Sequence, residues 1–286
     1  MIPERKCLID YHVHPYYSLD AEGTVDEYCQ RAISLGLSEI GFTPHLELDV
    51  RRRALDDKVR VGGRIVSMRS GWLSTFAEDV ERARERYPIE TRVGVEIGYD
   101  EEMEEEIEEI LDKHSFDFCL GAIHCLDHVA ITDRREYELY YRNRLPEEVL
   151  HGYFSVLKKA IASQLFDGIA HFDVYKKYGL KYYGNVIAEL EDRFIEDALD
   201  CVVTHDIALE INTSGLRTIG SPYPSESILR LAKKMGVSRV MIGSDCHKLT
   251  HLGCGLEGAL ELVQTLGFAL CGWKNREAYR IEDGVE

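Results

Sequence analysis

Seven short apolar runs alternate with helical patterns along the chain. The runs cover 7–14 (CLIDYHVH), 38–45 (SEIGFTPH), 91–97 (TRVGVEI), 116–124 (FDFCLGAIH), 167–173 (DGIAHFD), 207–213 (IALEINT) and 239–245 (RVMIGSD). Several are apolar throughout rather than alternating, as strands buried on both faces of an α/β fold are. Between them, apolar residues recur at helical spacing. One helix opens at Thr24, where Thr24 and Glu27 form a capping-box pattern, and stops near Gly36. Further helices are predicted over 74–87, 146–165, 186–201, 224–235 and 255–266, with Pro146 suited to a first helical position and Gly236 to a C-terminal cap. Alternating strands and helices imply parallel strands and right-handed crossovers. Seven such units predict a distorted (β/α)7 TIM-like barrel, and 286 residues suit a single domain over 1–286. An open doubly wound sheet is the structural competitor, but no G-x-G-x-x-G follows a strand.

Composition narrows the class. Apolar residues make up 45% of the chain, enough for one large core, and no Ser/Gly-rich run suggests a linker. The N-terminus has no apolar signal region, and no apolar run reaches the ~20 residues of a membrane span. The eight cysteines form no C-x-x-C pair and read as reduced residues, so a cytoplasmic protein is expected. A net charge of −17 argues against general attraction to nucleic acid. Part of that charge lies in 100–112 (DEEMEEEIEEILD), where Met103, Ile107, Ile110 and Leu111 mark a helix with a solvated acidic face. Two long connections, about 46–73 and 125–145, are by contrast rich in arginine. Both leave strand C-termini, so both are expected to rim the functional face and to suit an anionic substrate; ordinary solvated loop charge is the alternative.

The chemistry sits at the strand ends. His12, His14, Asp20, His45, Glu96, His124, His171, Asp245 and His247 lie at or just beyond the predicted strand C-termini, in DYHVHPYYSLD, GFTPH, VEIGY, GAIH, AHFD and GSDCH. A parallel barrel gathers such ends on one face. His12 and His14, two apart on a strand, face one side, and Asp245 and His247 repeat the device. Six imidazoles and three carboxylates without a thiolate suit Zn, Mn or Fe. Nine donors exceed what one ion needs and fit three if a carboxylate, Glu96, bridges. Alternation points Cys246 away from the site. His114, His128, His151, His205 and His251 fall outside the pattern, although His251 follows the last strand closely.

These motifs resemble those of the PHP (polymerase and histidinol phosphatase) family over nearly the whole chain. Two stretches resemble its histidinol-phosphate phosphatase branch: NTSGLR at 212–217 and HFDVYKK at 171–177. The resemblance implies three divalent ions. His12, His14, Glu96 and Asp245 would hold one, Glu96, His124 and His171 a second, and Asp20, His45 and His247 a third. It further implies hydrolysis of a phosphomonoester, foremost L-histidinol phosphate in histidine biosynthesis, by a metal-bound hydroxide, with Arg217 and Lys176 on the phosphate. Two positions depart from the family pattern. Some relatives carry His at the position of Asp20, and Lys176 stands where relatives can carry Arg, losing the bidentate fork. The rival readings are a phosphoesterase for another small phosphate, phosphotyrosine or a nucleotide, and a non-catalytic metal-binding domain.

Overall fold

The computed structural model describes residues 7–281. Seven parallel strands form its centre: β1 (Ile9–Val13), β2 (Glu39–Phe42), β3 (Glu90–Gly98), β4 (Phe118–Ala122), β5 (Gly168–Ile169), β6 (Ala208–Asn212) and β7 (Arg239–Gly243). They hydrogen-bond in sequence order. Their residues are almost all buried, which explains the unbroken apolar runs. A short strand, His45–Glu47, continues the line of β2 beyond Pro44 and pairs with β3, setting His45 opposite Glu96 and Glu47 opposite Gly98.

Helices cover the outside of this sheet. Val25–Leu35 begins with the capping box expected at Thr24 and buries Val25, Tyr28, Cys29 and Ala32, one stripe at helical spacing. Trp72–Arg86, Glu104–Lys113, Pro146–Ala162, Glu226–Met235 and Leu256–Leu266 match the remaining helical patterns within a few residues. The helix expected over 186–201 is instead two, Val186–Glu189 and Asp192–His205, preceded by a third, Lys176–Tyr183.

The ladder of paired strands is open, with no ladder pairing between β1 and β7. Its two flanks do meet, at the end of β1 and just past the end of β7. Val13 and Cys246 form an isolated bridge, with His14 N donating to Cys246 O at 3.0 Å. Below that point side chains of β1 take the place of ladder bonds. Ser244 N donates to Asp10 Oδ1 at 2.8 Å, and Trp273 N donates to the Tyr11 hydroxyl at 3.2 Å. Trp273 belongs to a further pair, β8 (Ala269–Lys274) and β9 (Glu277–Arg280), which extends the sheet beyond β7. This pair was not expected from the sequence.

Both long connections contain small antiparallel hairpins, Val59–Val61 with Arg64–Val66 and Cys125–Leu126 with Val129–Ala130. Among the described residues no helix is long and apolar enough to cross a membrane, and the cysteines are unpaired.

Candidate metal centre

The nine residues expected to act as ligands lie together at the C-terminal ends of the parallel strands. The delivery is regular: His124, His171 and Asp245 each stand two residues past the end of β4, β5 and β7. His12 lies within β1, beside an irregularity in its pairing with β2, and His14 follows the strand; their rings are 5.0 Å apart. His171 and Asp245 have φ of 31° and 49°, in the left-handed region that non-glycine residues occupy at a cost.

Glu96 is the hub. Its Oε1 lies 2.8 Å from His171 Nε2, 3.3 Å from His124 Nε2 and 3.4 Å from His12 Nε2. Its Oε2 lies 2.7 Å from His45 Nδ1 and 3.6 Å from His14 Nε2. Asp245 Oδ1 approaches His14 Nε2 at 3.3 Å and His247 Nδ1 at 3.5 Å. Asp20, on the exposed rim, reaches His247 Nε2 at 3.4 Å and His45 Nε2 at 3.8 Å. Three donor groups lie within this cluster: His12, His14 and Asp245; His45, Glu96 and His124; and His14, His45 and His247. They differ from the expected partition: His14 and His45 each stand in two groups, Glu96 in one, and Asp20 and His171 in none.

The donor set fits divalent cations. His12 Nε2, both ring nitrogens of His14, His45 Nδ1, Glu96 Oε2 and His171 Nδ1 are buried without a well-formed hydrogen bond. A buried polar atom left so costs roughly 1–3 kcal/mol, so a cluster of them marks a place built for ligands. Charge points the same way. Burial disfavours the charged His12 ring, but Glu210, Glu96 and Asp245 outweigh it and raise its pKa well above the usual value. Burial likewise opposes charge on His124, yet Glu96 and Glu47 lift it to about 10. His14 moves the other way, lowered by burial and by His247 and His45. Burial would raise Glu96 and Asp245, but the surrounding imidazoles hold both well below the carboxylate range.

Two carboxylates that the sequence reading overlooked stand behind the histidines. Glu210, fully buried in β6, lies 2.6 Å from His12 Nδ1 and also accepts from His171 N at 2.8 Å and Asn212 Nδ2 at 3.0 Å. Gly243 leaves room for it, since a Cβ there would fall 2.3 Å from Glu210 Oε1. Glu47 Oε1 lies 2.6 Å from His124 Nδ1. The sequence held faint signals for both: an isolated Glu in the apolar run IALEINT, and a Glu two residues after His45, on the same strand face. The NTSGLR stretch works partly on Asp245. Ser214 Oγ is 3.0 Å and Asn212 Nδ2 3.4 Å from Asp245 Oδ2.

The two cations expected on the phosphate differ. Arg217 is exposed, and its Nη2 donates to Ser244 O at 2.8 Å and Asp245 O at 3.1 Å. Its Nε and Nη1 make no hydrogen bond among the described residues, so they are available beside Asp245. Lys176 is 5% exposed, with Nζ 2.7 Å from Glu191 Oε1 and 2.9 Å from Asp173 Oδ2. Burial opposes its charge, and those two carboxylates more than compensate, raising its pKa. Its ammonium is engaged by these two carboxylates.

Several arginines of the two long connections are engaged by the protein itself. Arg52 is buried against Asp56 and Glu136, half-buried Arg69 pairs with Glu106, and Arg60 donates to the Tyr16, Leu19 and Ala21 carbonyls. Arg144 binds Asp127, and Arg135 binds Asp133. These arginines fasten loops to the rim and to each other.

Imidazole and carboxylate donors converging on one end of a parallel α/β sheet define a polynuclear metal-site protein. The chain belongs to the PHP domain family, whose model matches residues 10–214. Among curated relatives, a probable histidinol-phosphatase of Deinococcus radiodurans is 26% identical over 273 residues, 94% of this chain and 98% of the relative. The histidinol-phosphatase of Lactococcus lactis is 25% identical over 267 residues, 91% of either chain. The crystal structure of the L. lactis histidinol phosphate phosphatase complexed with zinc, L-histidinol and phosphate matches with a TM-score of 0.78 at 21% identity, covering 96% of this chain and 99% of that one. A putative histidinol phosphatase of Listeria monocytogenes matches with a TM-score of 0.75 at 19% identity, covering 87% and 99%.

Proposed function

We propose that this chain is a metal-dependent phosphomonoesterase that hydrolyses L-histidinol phosphate to L-histidinol and phosphate. The observation that carries the reading is the cluster of nine donors around Glu96, several of them buried and unsatisfied. The names of full-length relatives supply the substrate. The ladder, open by pairing but bridged between Val13 and Cys246, is read as a distorted (β/α)7 barrel.

His12, His14, Asp20, His45, Glu96, His124, His171, Asp245 and His247 would hold three divalent ions, Zn, Mn or Fe, with Glu96 shared. When bound, such ions withdraw charge from phosphoryl oxygens and make water a competent nucleophile near neutral pH. The chain itself supplies orientation. Glu210 and Glu47 hold the Nδ1 atoms of His12 and His124, so that each ring turns its Nε2 inward. Asn212 and Ser214 hold Asp245. Arg217 Nε and Nη1 bind non-bridging phosphate oxygens and stabilise the charge that builds on them during displacement. Attack by water forms the new P–O bond as the bond to the alkoxide breaks, with no covalent phosphoenzyme. Lys176 is assigned to holding Asp173 and Glu191 together, which occupies two of its three N–H donors.

Phosphate release from L-histidinol phosphate, compared with phosphotyrosine and nucleoside monophosphates, tests the assignment. Zinc-, manganese- or iron-loaded protein is expected to prefer L-histidinol phosphate. No turnover of it in any of the three preparations would refute the substrate.

A further inference from the structure

The strand His45–Glu47 carries a candidate ligand at one end and a carboxylate at the other, two residues on and facing the same side. Glu47 accepts from His124 Nδ1 at 2.6 Å, while His124 Nε2 faces Glu96 Oε1 at 3.3 Å. The ring is therefore gripped on its outer nitrogen and aimed with its inner one. Glu47 lies opposite Gly98 of β3. A Cβ at position 98 would fall 2.0 Å from Glu47 Oε2, 2.7 Å from its Cδ and 2.9 Å from Oε1. All three nearest atoms belong to this one carboxylate. Gly98 ends a regular strand and is not among the positive-φ glycines, so the backbone there would accept alanine. What alanine would displace is the mobile end of one side chain.

We propose that Glu47 is a positioning residue that fixes the tautomer and direction of His124, and that Gly98 is the position that makes room for it. The proposal rests on the reading of His124 as a ligand of a divalent ion. Histidines that bind metals through one nitrogen commonly donate the other N–H to a carboxylate, and losing that partner lowers metal affinity about 10–100-fold. Glu210 plays a comparable part toward His12, but it also holds His171 N and Asn212, so its removal would disturb the backbone as well. The Glu47–Gly98 pair isolates the effect on one ring.

The test is a zinc titration of metal-free protein against a chromophoric chelator, with zinc counted per chain and the melting temperature of each metal-free variant recorded. Glu47→Ala and Gly98→Ala are each expected to weaken one zinc site by about 10–100-fold. Glu47→Gln, which keeps an acceptor, retains more affinity than Glu47→Ala. Metal-free melting temperatures stay near wild type. Placed on Glu47→Ala, Gly98→Ala adds no further loss, because the group it displaces is gone. Wild-type affinity in Gly98→Ala, full additivity in the double variant, or a large fall in metal-free stability would each overturn the positioning role. A wild-type chain that binds no zinc would overturn the metal-site reading and the positioning role with it.

Discussion

Arg217→Ala should separate catalysis from architecture. The side chain is exposed, and two of its N–H groups bind the carbonyls of Ser244 and Asp245 at 2.8 and 3.1 Å. Water can replace those bonds at an exposed site, so the folding cost should stay within about 0.5 kcal/mol, as for most surface substitutions. Asp245 also keeps Asn212 and Ser214 as partners, so metal content should be retained. The loss on phosphate is larger. Hydrogen bonds from a charged group contribute roughly 1.5–3 kcal/mol each, so losing both the Nε and Nη1 contacts in the transition state lowers kcat/KM by about 100- to 10,000-fold. Arg217→Lys keeps the charge without the fork and should fall between wild type and Ala. The assay is steady-state phosphate release from metal-loaded protein, with metal counted on the same samples. Unchanged kcat/KM at full metal content would refute the phosphate role, and loss of metal would make Arg217 a scaffold for the Asp245 loop.

Glu96→Ala removes the carboxylate that approaches five imidazoles; metal analysis and circular dichroism should show lost cations and lost turnover in a folded chain, and near-normal activity would contradict the hub. His12, His45 and His124 are all raised in pKa without cations, His124 to about 10, so cation binding must expel protons and tighten as pH rises. Calorimetry in buffers of different ionisation enthalpy should register that release, and a binding heat independent of buffer would contradict it. Lys176→Met leaves Asp173 and Glu191 buried without their shared cation and should destabilise the fold by roughly 3–5 kcal/mol. A denaturant melt unchanged from wild type would return Lys176 to the list of free phosphate ligands.

The parallel strands and the donors at their ends were legible because both are local signals. A buried parallel strand must be apolar throughout, and a strand-end histidine stands where the apolar run stops. What stayed hidden depends on partners distant in sequence. Nothing near Glu47 or Glu210 reveals that each faces a histidine, since His124 and His12 are 77 and 198 residues away along the chain. The arginines of 46–73 suggested an anion-binding rim, but charge density along a loop does not tell whether a guanidinium meets a substrate or, as with Arg52 and Arg69, a carboxylate. The β8–β9 hairpin escaped notice because its turn places Asn275 and Arg276 at φ 52° and 65°, a conformation usually announced by Asn-Gly or Asp-Gly. Strand periodicity also cannot show the seam between the flanks of the sheet, where Asp10 and Tyr11 bond through their side chains.

We propose that nine strand-end residues hold three ions joined through Glu96. A crystal structure of the metal-loaded protein, with data collected across the absorption edge of the bound metal, tests it most directly. Three anomalous peaks should appear within the donor cluster, two of them against Glu96. A single peak, or ions lying away from His12, His124 and His247, would contradict the account.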